Sequence, residues 1–129
     1  MSTKLPSRAF KTAWFARATR KAHIGDGELC VAIQQVMAGQ ADDLGGGVFK
    51  KRLNDNMHRS IIVAKGGRYW VYAFLFAKQD RANISPDELV AFRKLAAAYA
   101  QMTASEVNTG LRNGDLLEIC DDGEVKVQE

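Results

Sequence analysis

A chain of 129 residues, 47% of them hydrophobic and only two of them proline, can bury one core of ordinary size but not two. No stretch approaches the roughly 18 apolar residues of a membrane helix, and Met1 to Phe10 lacks the apolar centre of a secretory leader, so a soluble, cytoplasmic domain with no membrane role is expected. The net charge of +3 is modest, and the isolated Cys30, Cys120, His23 and His58 argue against a disulfide framework and a zinc site; reduced, buried thiols, no metal and no cofactor are expected.

From Arg8 to Ala22 the apolar residues Phe10, Trp14, Phe15, Ala18 and Ala22 recur at helical spacing, which predicts an amphipathic first helix. Gly25-Asp26-Gly27 ends it, and Asp26 is suited to cap a second helix with a buried stripe of Leu29, Ile33, Val36 and Met37 and a stop at Gly39. The stretch from Asp42 to Gly47 is turn-rich. Its three glycines lack the Gly-Lys-Ser/Thr of a phosphate loop, so a flexible or closely approaching backbone is the expected reason for them. Val48–Leu53 then reads as a strand, followed by the polar turn Asn54-Asp55-Asn56.

Arg59–Lys65 and Arg68–Phe76 read as strands joined at Gly66-Gly67, a pair that accepts the positive φ angles of a two-residue hairpin turn. Strict alternation in the second strand puts Trp70, Tyr72, Phe74 and Phe76 on one face and Tyr69, Val71, Ala73 and Leu75 on the other. Both faces are apolar, as in a central strand. Ser85-Pro86-Asp87-Glu88 has the cap, first-turn proline and returning glutamate of a helix start. Leu89, Phe92, Leu95, Ala96, Tyr99 and Met102 follow on one side of that helix, which should pack across the sheet. A shorter helix over Ala104–Arg112 ends near Gly114, Leu116–Cys120 has strand character, and Asp122-Gly123 suggests a terminal hairpin. The expected class is α+β in a single domain over residues 1–129: two amino-terminal helices, an antiparallel sheet of about four strands, and carboxyl-terminal helices with a terminal strand or hairpin.

Charge is segregated along the chain. Residues 1–24 hold six basic side chains and no acidic one; residues 25–47 hold four acidic and no basic; residues 48–83 hold eight basic against Asp55 and Asp80; and residues 84–129 hold four basic against nine acidic. Two basic segments could converge on one polyanion-binding surface, although the first could equally be a solvated helix face. In the second, the cations interleave with strand formers. Lys50 and Arg52 share a strand face, while Lys51 points the other way with Phe49 and Leu53. A cationic sheet face is costly without an anion.

Cleaving RNA through its 2′-hydroxyl needs a base, cations for the non-bridging oxygens and an acid for the departing oxygen. Clustered Lys and Arg can meet all three needs, because crowding by like charge lowers a lysine's pKa. The candidate catalytic set is Lys50, Arg52, Arg59, Arg81 and His58, with Lys51, Lys78, Arg68 and Asn83 as candidate RNA contacts. Arg59 heads an otherwise apolar strand and needs an anion, for which Asp80 is the internal alternative. The same cluster could also bind RNA without cutting it.

Three separated runs carry a resemblance: Asp43-Leu44-Gly45-Gly46-Gly47-Val48-Phe49-Lys50-Lys51-Arg52, then Arg59-Ser60-Ile61-Ile62-Val63-Ala64, then Phe76-Ala77-Lys78-Gln79-Asp80-Arg81-Ala82-Asn83-Ile84. In order and spacing they resemble the RelE-like toxins of the RelE/ParE superfamily, the RelE or HigB type of toxin in type II toxin–antitoxin systems. The resemblance implies ribosome-dependent mRNA cleavage, a cognate antitoxin, for which a helix-turn-helix protein is one form, in a hetero-oligomer with the toxin, and basic site residues at Lys50, Arg52, Arg59, Lys78 and Arg81. A topoisomerase-inhibiting, ParE-like toxin or a non-catalytic RNA binder on the same fold is the alternative. Two departures stand out: Asn54-Asp55-Asn56-Met57-His58 replaces a Gly-Lys-Ser-Gly-rich turn, and no tyrosine or histidine follows closely after Arg81.

Overall fold

Arg8–Thr12 opens the fold as a strand, β1, although its apolar spacing continues smoothly into the helix that follows. A computed structural model describes residues 7–120. After β1 come α1 (Ala13–Ala22), α2 (Asp26–Met37), β2 (Asp42–Asp43), β3 (Val48–Leu53), β4 (His58–Val63), β5 (Tyr69–Ala77), α3 (Pro86–Ala100), α4 (Ala104–Asn113) and β6 (Leu116–Ile119). One six-stranded sheet runs in the order β2-β3-β4-β5-β1-β6. It is antiparallel except where β1 lies parallel to β5. The α+β class and its two early helices hold, with β1 and the two-residue β2 enlarging the sheet beyond four strands. Helical spacing misassigned Arg8–Thr12 because the strand is selected by partners far away in sequence, Tyr69 to Tyr72 on one side and Leu116 to Ile119 on the other.

Helix ends follow local chemistry. Thr12 closes β1 and caps α1, its hydroxyl accepting from the Phe15 N–H at 3.1 Å. Gly25, rather than Asp26, is the cap of α2; Asp26 begins the helix and instead accepts from Lys11 Nζ at 2.7 Å. Reciprocal capping boxes start α3 at Ser85/Glu88 and α4 at Thr103/Glu106.

Helices cover both faces of the sheet. On one face Phe15 of α1 and Leu29 and Ile33 of α2 pack with Leu53, Ile62, Trp70, Tyr72 and Leu75 of the sheet. Under α3 and α4 lie Phe10, Val48, Ile61, Val63, Tyr69, Val71, Phe76 and Val107. The division within β5 breaks strict alternation. Ile61 pairs with Phe74 but Ile62 pairs with Tyr72, so Ala73 is an extra residue in the ladder. This bulge turns Phe74 and Phe76 to the α3 side and sends Leu75 to join Trp70 and Tyr72. The Tyr72 hydroxyl is buried and donates to the Leu29 carbonyl at 2.7 Å, and its pKa is pushed up by burial and then by the charge of Glu28.

The glycine run before β3 is a close approach. Gly47 has φ +85, and a Cβ there would lie 2.8 Å from the Lys65 backbone. Cys30 of α2 and Cys120, just past β6, form a disulfide with Cα atoms 5.4 Å apart across 90 residues, which corrects the expectation of reduced thiols. Pairing of β6 with β1 carries Cys120 to α2, a proximity that spacing along the chain does not encode. The hairpin anticipated around Asp122-Gly123 lies outside the described residues. Among the described residues no helix is long and apolar enough to cross a membrane.

Candidate functional site

The β3–β4 ladder sets Arg52 directly opposite Arg59, and Lys50 opposite Ile61. All three lie on the α3 side of the sheet, two residues apart along β3 and adjacent across the ladder. Opposed cations in a cross-strand pair repel. Among the described residues no carboxylate pairs with either arginine. The Arg52 side chain is exposed and has no hydrogen-bond or ion-pair partner among the described residues. Arg59 uses one nitrogen, Nη1, to reach the Asn56 carbonyl at 3.0 Å and the His58 carbonyl at 3.3 Å. Its Nε and Nη2 remain available, and Asp80 is not its partner. Lys50 is half-buried, with Asp42 Oδ2 at 3.9 Å, so its neighbour across β2 is acidic.

The turn that feeds Arg59 is tightly constrained. Asn54, Asp55 and Asn56 all have positive φ, at 56, 52 and 71°. Asparagine and aspartate tolerate this left-handed region better than other non-glycine residues. The turn thereby orients the Asn56 carbonyl toward the Arg59 guanidinium.

Arg81 joins the cluster from the loop after β5. Its guanidinium carbon lies 5.5 Å from the Phe76 ring centroid and 5.8 Å from that of Phe74. Phe76 is the cross-strand partner of Arg59, so the bulge after Tyr72 is what carries Arg81's aromatic support to the arginine side. Arg81 Nε donates to the Asn83 carbonyl at 3.0 Å, and both terminal nitrogens donate to the Glu88 carboxylate. Glu88 was legible only as a helix cap. The Arg81 guanidinium, and then the Ser85 backbone N–H, hold its carboxyl below the usual glutamate range. The fork is therefore braced at its loop side while two of its N–H groups stay uncommitted.

Asn83 shapes this loop, its side-chain oxygen accepting from the Ile84 N–H at 2.8 Å. Lys78 is exposed at the end of β5, where its backbone N–H donates to the Met57 carbonyl at 2.9 Å.

Three candidates lie elsewhere. His58 pairs with Leu53 and Ala77 and so faces the α1 side, away from the arginine pair. Its Nδ1 lies 3.2 Å from the Asn54 amide nitrogen. Lys51 also faces the α1–α2 side and donates to the Gln40 carbonyl at 2.9 Å. Arg68 sits just before the opposite end of β5, roughly 30 Å from Ala77 at about 3.3 Å per residue, with its guanidinium 4.9 Å from the Tyr69 ring.

On the α1 side, a cleft of about 880 Å³ is lined by Trp14, Arg17, Arg20, Lys21, His58, Leu75 to Ala77, Asp80 and Arg81. The α1 cations were recognisable in the sequence as a basic block without a target. Their spacing at positions 17, 20 and 21, beside Trp14, is the signal that they share a helix face. Among the described residues no three His, Cys, Asp or Glu side chains gather as a metal site requires. The arrangement is one for holding an anion on a rigid sheet face.

No curated protein sequence matches the chain. A family profile described as the RelE toxin of the RelE/RelB toxin–antitoxin system matches residues 7–119, which spans every strand and helix above. With the cationic sheet face and this match over most of its length, the chain belongs to the RelE toxin family.

Proposed function

We propose that this toxin-family chain is an mRNA endoribonuclease that acts on the translating ribosome and is restrained by a cognate antitoxin of the RelB type. The observation that carries this reading is the opposed pair Arg52 and Arg59, the first exposed and the second half-buried, with no carboxylate paired to either among the described residues. A phosphodiester between them relieves their repulsion, and their fork geometry suits its two non-bridging oxygens. In the reaction the substrate 2′-hydroxyl passes its proton to solvent water as its oxygen attacks the adjacent phosphorus, the bond to the 5′-oxygen breaks, and a 2′,3′-cyclic phosphate and a 5′-hydroxyl result. Negative charge grows on the non-bridging oxygens, where Arg52, Arg59 and Arg81 stabilise it. Lys50, on the same face, is suited to deliver a proton to the departing 5′-oxygen.

His58 faces the opposite side, so this set is stronger in charge neutralisation than in proton abstraction. That imbalance favours a substrate whose geometry is fixed by a larger scaffold, as codons are on the ribosome. A non-catalytic RNA-binding role is the second reading, favoured by the acidic neighbours of Lys50 and Arg81.

Induced expression with mapping of mRNA 5′ ends separates these readings. New ends at fixed codon positions, lost after translation arrest and lost in Arg59→Ala, are the expected result. Arrested growth with intact mRNA sinks the nuclease reading, and accompanying DNA damage points to topoisomerase.

A further inference from the structure

The cleft between α1 and β5 is not needed to hold the scissile phosphate, yet its chemistry is cationic. Trp14, Arg17, Ala18 and Lys21 stand at helical spacing on the side of α1 that lines it, and Arg20 joins them at the rim. The side chains of Arg17, Arg20 and Lys21 are exposed and make no ion pair or hydrogen bond among the described residues. Asp80 is the single carboxylate in the lining. Trp14 is 43% exposed although it is a large aromatic, and its inner face stacks on Phe74 at 5.0 Å between ring centroids. The indole is thus held rigid with its remaining surface open.

Backbone groups add to this wall. The register of β1 on β5 reaches only Lys11 opposite Tyr72, so the edge of Leu75 to Ala77 facing α1 has no strand neighbour among the described residues. Finally, the cleft is continuous with the arginine cluster: Arg81 and Phe76 line it, and Phe76 is the partner of Arg59.

We propose that this cleft is a second RNA subsite, which takes the nucleotides on one side of the scissile phosphate. Arg17, Arg20 and Lys21 contact successive phosphates and Trp14 stacks on a base. The inference rests on the nuclease reading only for the identity of the strand. A polynucleotide fits better than an acidic peptide because the wall offers both an open aromatic face and a row of cations, the pairing used for single strands. A volume of about 880 Å³ falls within the roughly 300–1,000 Å³ of pockets that enclose whole small ligands.

The test uses the full chain and non-cleavable 2′-O-methyl oligonucleotides of three and six nucleotides, followed by anisotropy and by tryptophan emission against a Trp14→Phe control. The six-mer should bind about tenfold more tightly than the three-mer and should alter Trp14 emission. Arg17→Ala/Arg20→Ala/Lys21→Ala should abolish that length-dependent gain and reduce the slope of log affinity on log salt by about 2, near 0.7 per lost phosphate contact, with an unchanged melting temperature. Equal length dependence in this variant and the wild type overturns the subsite. So does a Trp14 response to polyglutamate but not to RNA. The two proposals fail separately: loss of the gain in a protein that cuts no mRNA keeps the subsite and ends the nuclease reading, whereas mRNA cleavage without any length gain does the reverse.

Discussion

Strands β3, β4 and β5 are bounded in opposite ways at their two ends. At one end Gly47 presses on the Lys65 backbone, and Arg93 of α3 donates to the Leu44 carbonyl at 2.6 Å and the Gly45 carbonyl at 3.3 Å. Val48 and Val63 there are fully buried. At the other end, only a few residues along the same ladder, Arg52 and Arg59 oppose each other with no anionic partner among the described residues, next to three consecutive left-handed residues. The covered end holds the sheet together, and the open end carries charge that would be better separated. One hairpin therefore supplies both rigidity and an unmet demand for an anion, and the first makes the second tolerable.

If this division is right, substitutions at the two ends should have opposite signatures. The largest effect is expected from Arg52→Ala or Arg59→Ala: a loss of mRNA cleavage of roughly 100- to 1,000-fold, with a melting temperature equal to or slightly above that of the wild type because repulsion is relieved. A variant that loses cleavage only by unfolding would break the comparison. Gly47→Ala should do the reverse, costing on the order of 3 kcal/mol through its left-handed φ and the Lys65 contact. Denaturant unfolding measures that cost, and cleavage per folded molecule should be unaltered.

Reducing the Cys30–Cys120 bond should cost about 2–4 kcal/mol, read as a lower melting temperature in dithiothreitol, again without loss of the site. The smallest effect concerns the brace on Arg81. Glu88 ionises more readily in the folded chain than in the unfolded one, so its contribution is complete above the ordinary glutamate pKa of about 4.3 and fades as pH falls through its lower folded value. Glu88→Gln keeps a capping acceptor but removes the charge. Its small deficit in melting temperature at pH 6 should shrink as pH falls below the ordinary glutamate range and vanish once the carboxyl is protonated in the folded chain as well.

Much of this architecture was readable because it is locally encoded. Gly66-Gly67 specified a chain reversal, and both residues do take positive φ, although the connection between β4 and β5 runs over residues 64–68 instead of the two-residue turn expected. Ser85-Pro86-Asp87-Glu88 specified the start of α3, and the shared face of Lys50 and Arg52 followed from strand periodicity alone. What escaped depends on distant partners. Arg8–Thr12 carries helical spacing yet is drawn into a strand between β5 and β6. The bulge at Ala73 reverses the faces of Phe74 and Phe76, and nothing local in Tyr72-Ala73-Phe74 marks it. His58 looked like a neighbour of the arginines because it adjoins Arg59 in sequence, but adjacent strand residues face apart. Arg68 belonged to the same basic block as Arg59, and the length of β5 separates them.

The pairing of Ala9 with Ile119 has a kinetic consequence. The turns linking β3, β4 and β5 are short, so these strands meet after little loss of loop-closure entropy, while β1 and β6 must find each other across nearly the whole described chain. The central ladder, and with it the arginine pair, is therefore expected to assemble first, and the β1–β6 flank to close last, carrying Cys120 to Cys30 as it does so. The anion-demanding end of the sheet would then exist, transiently, in a molecule whose outer strands are still open.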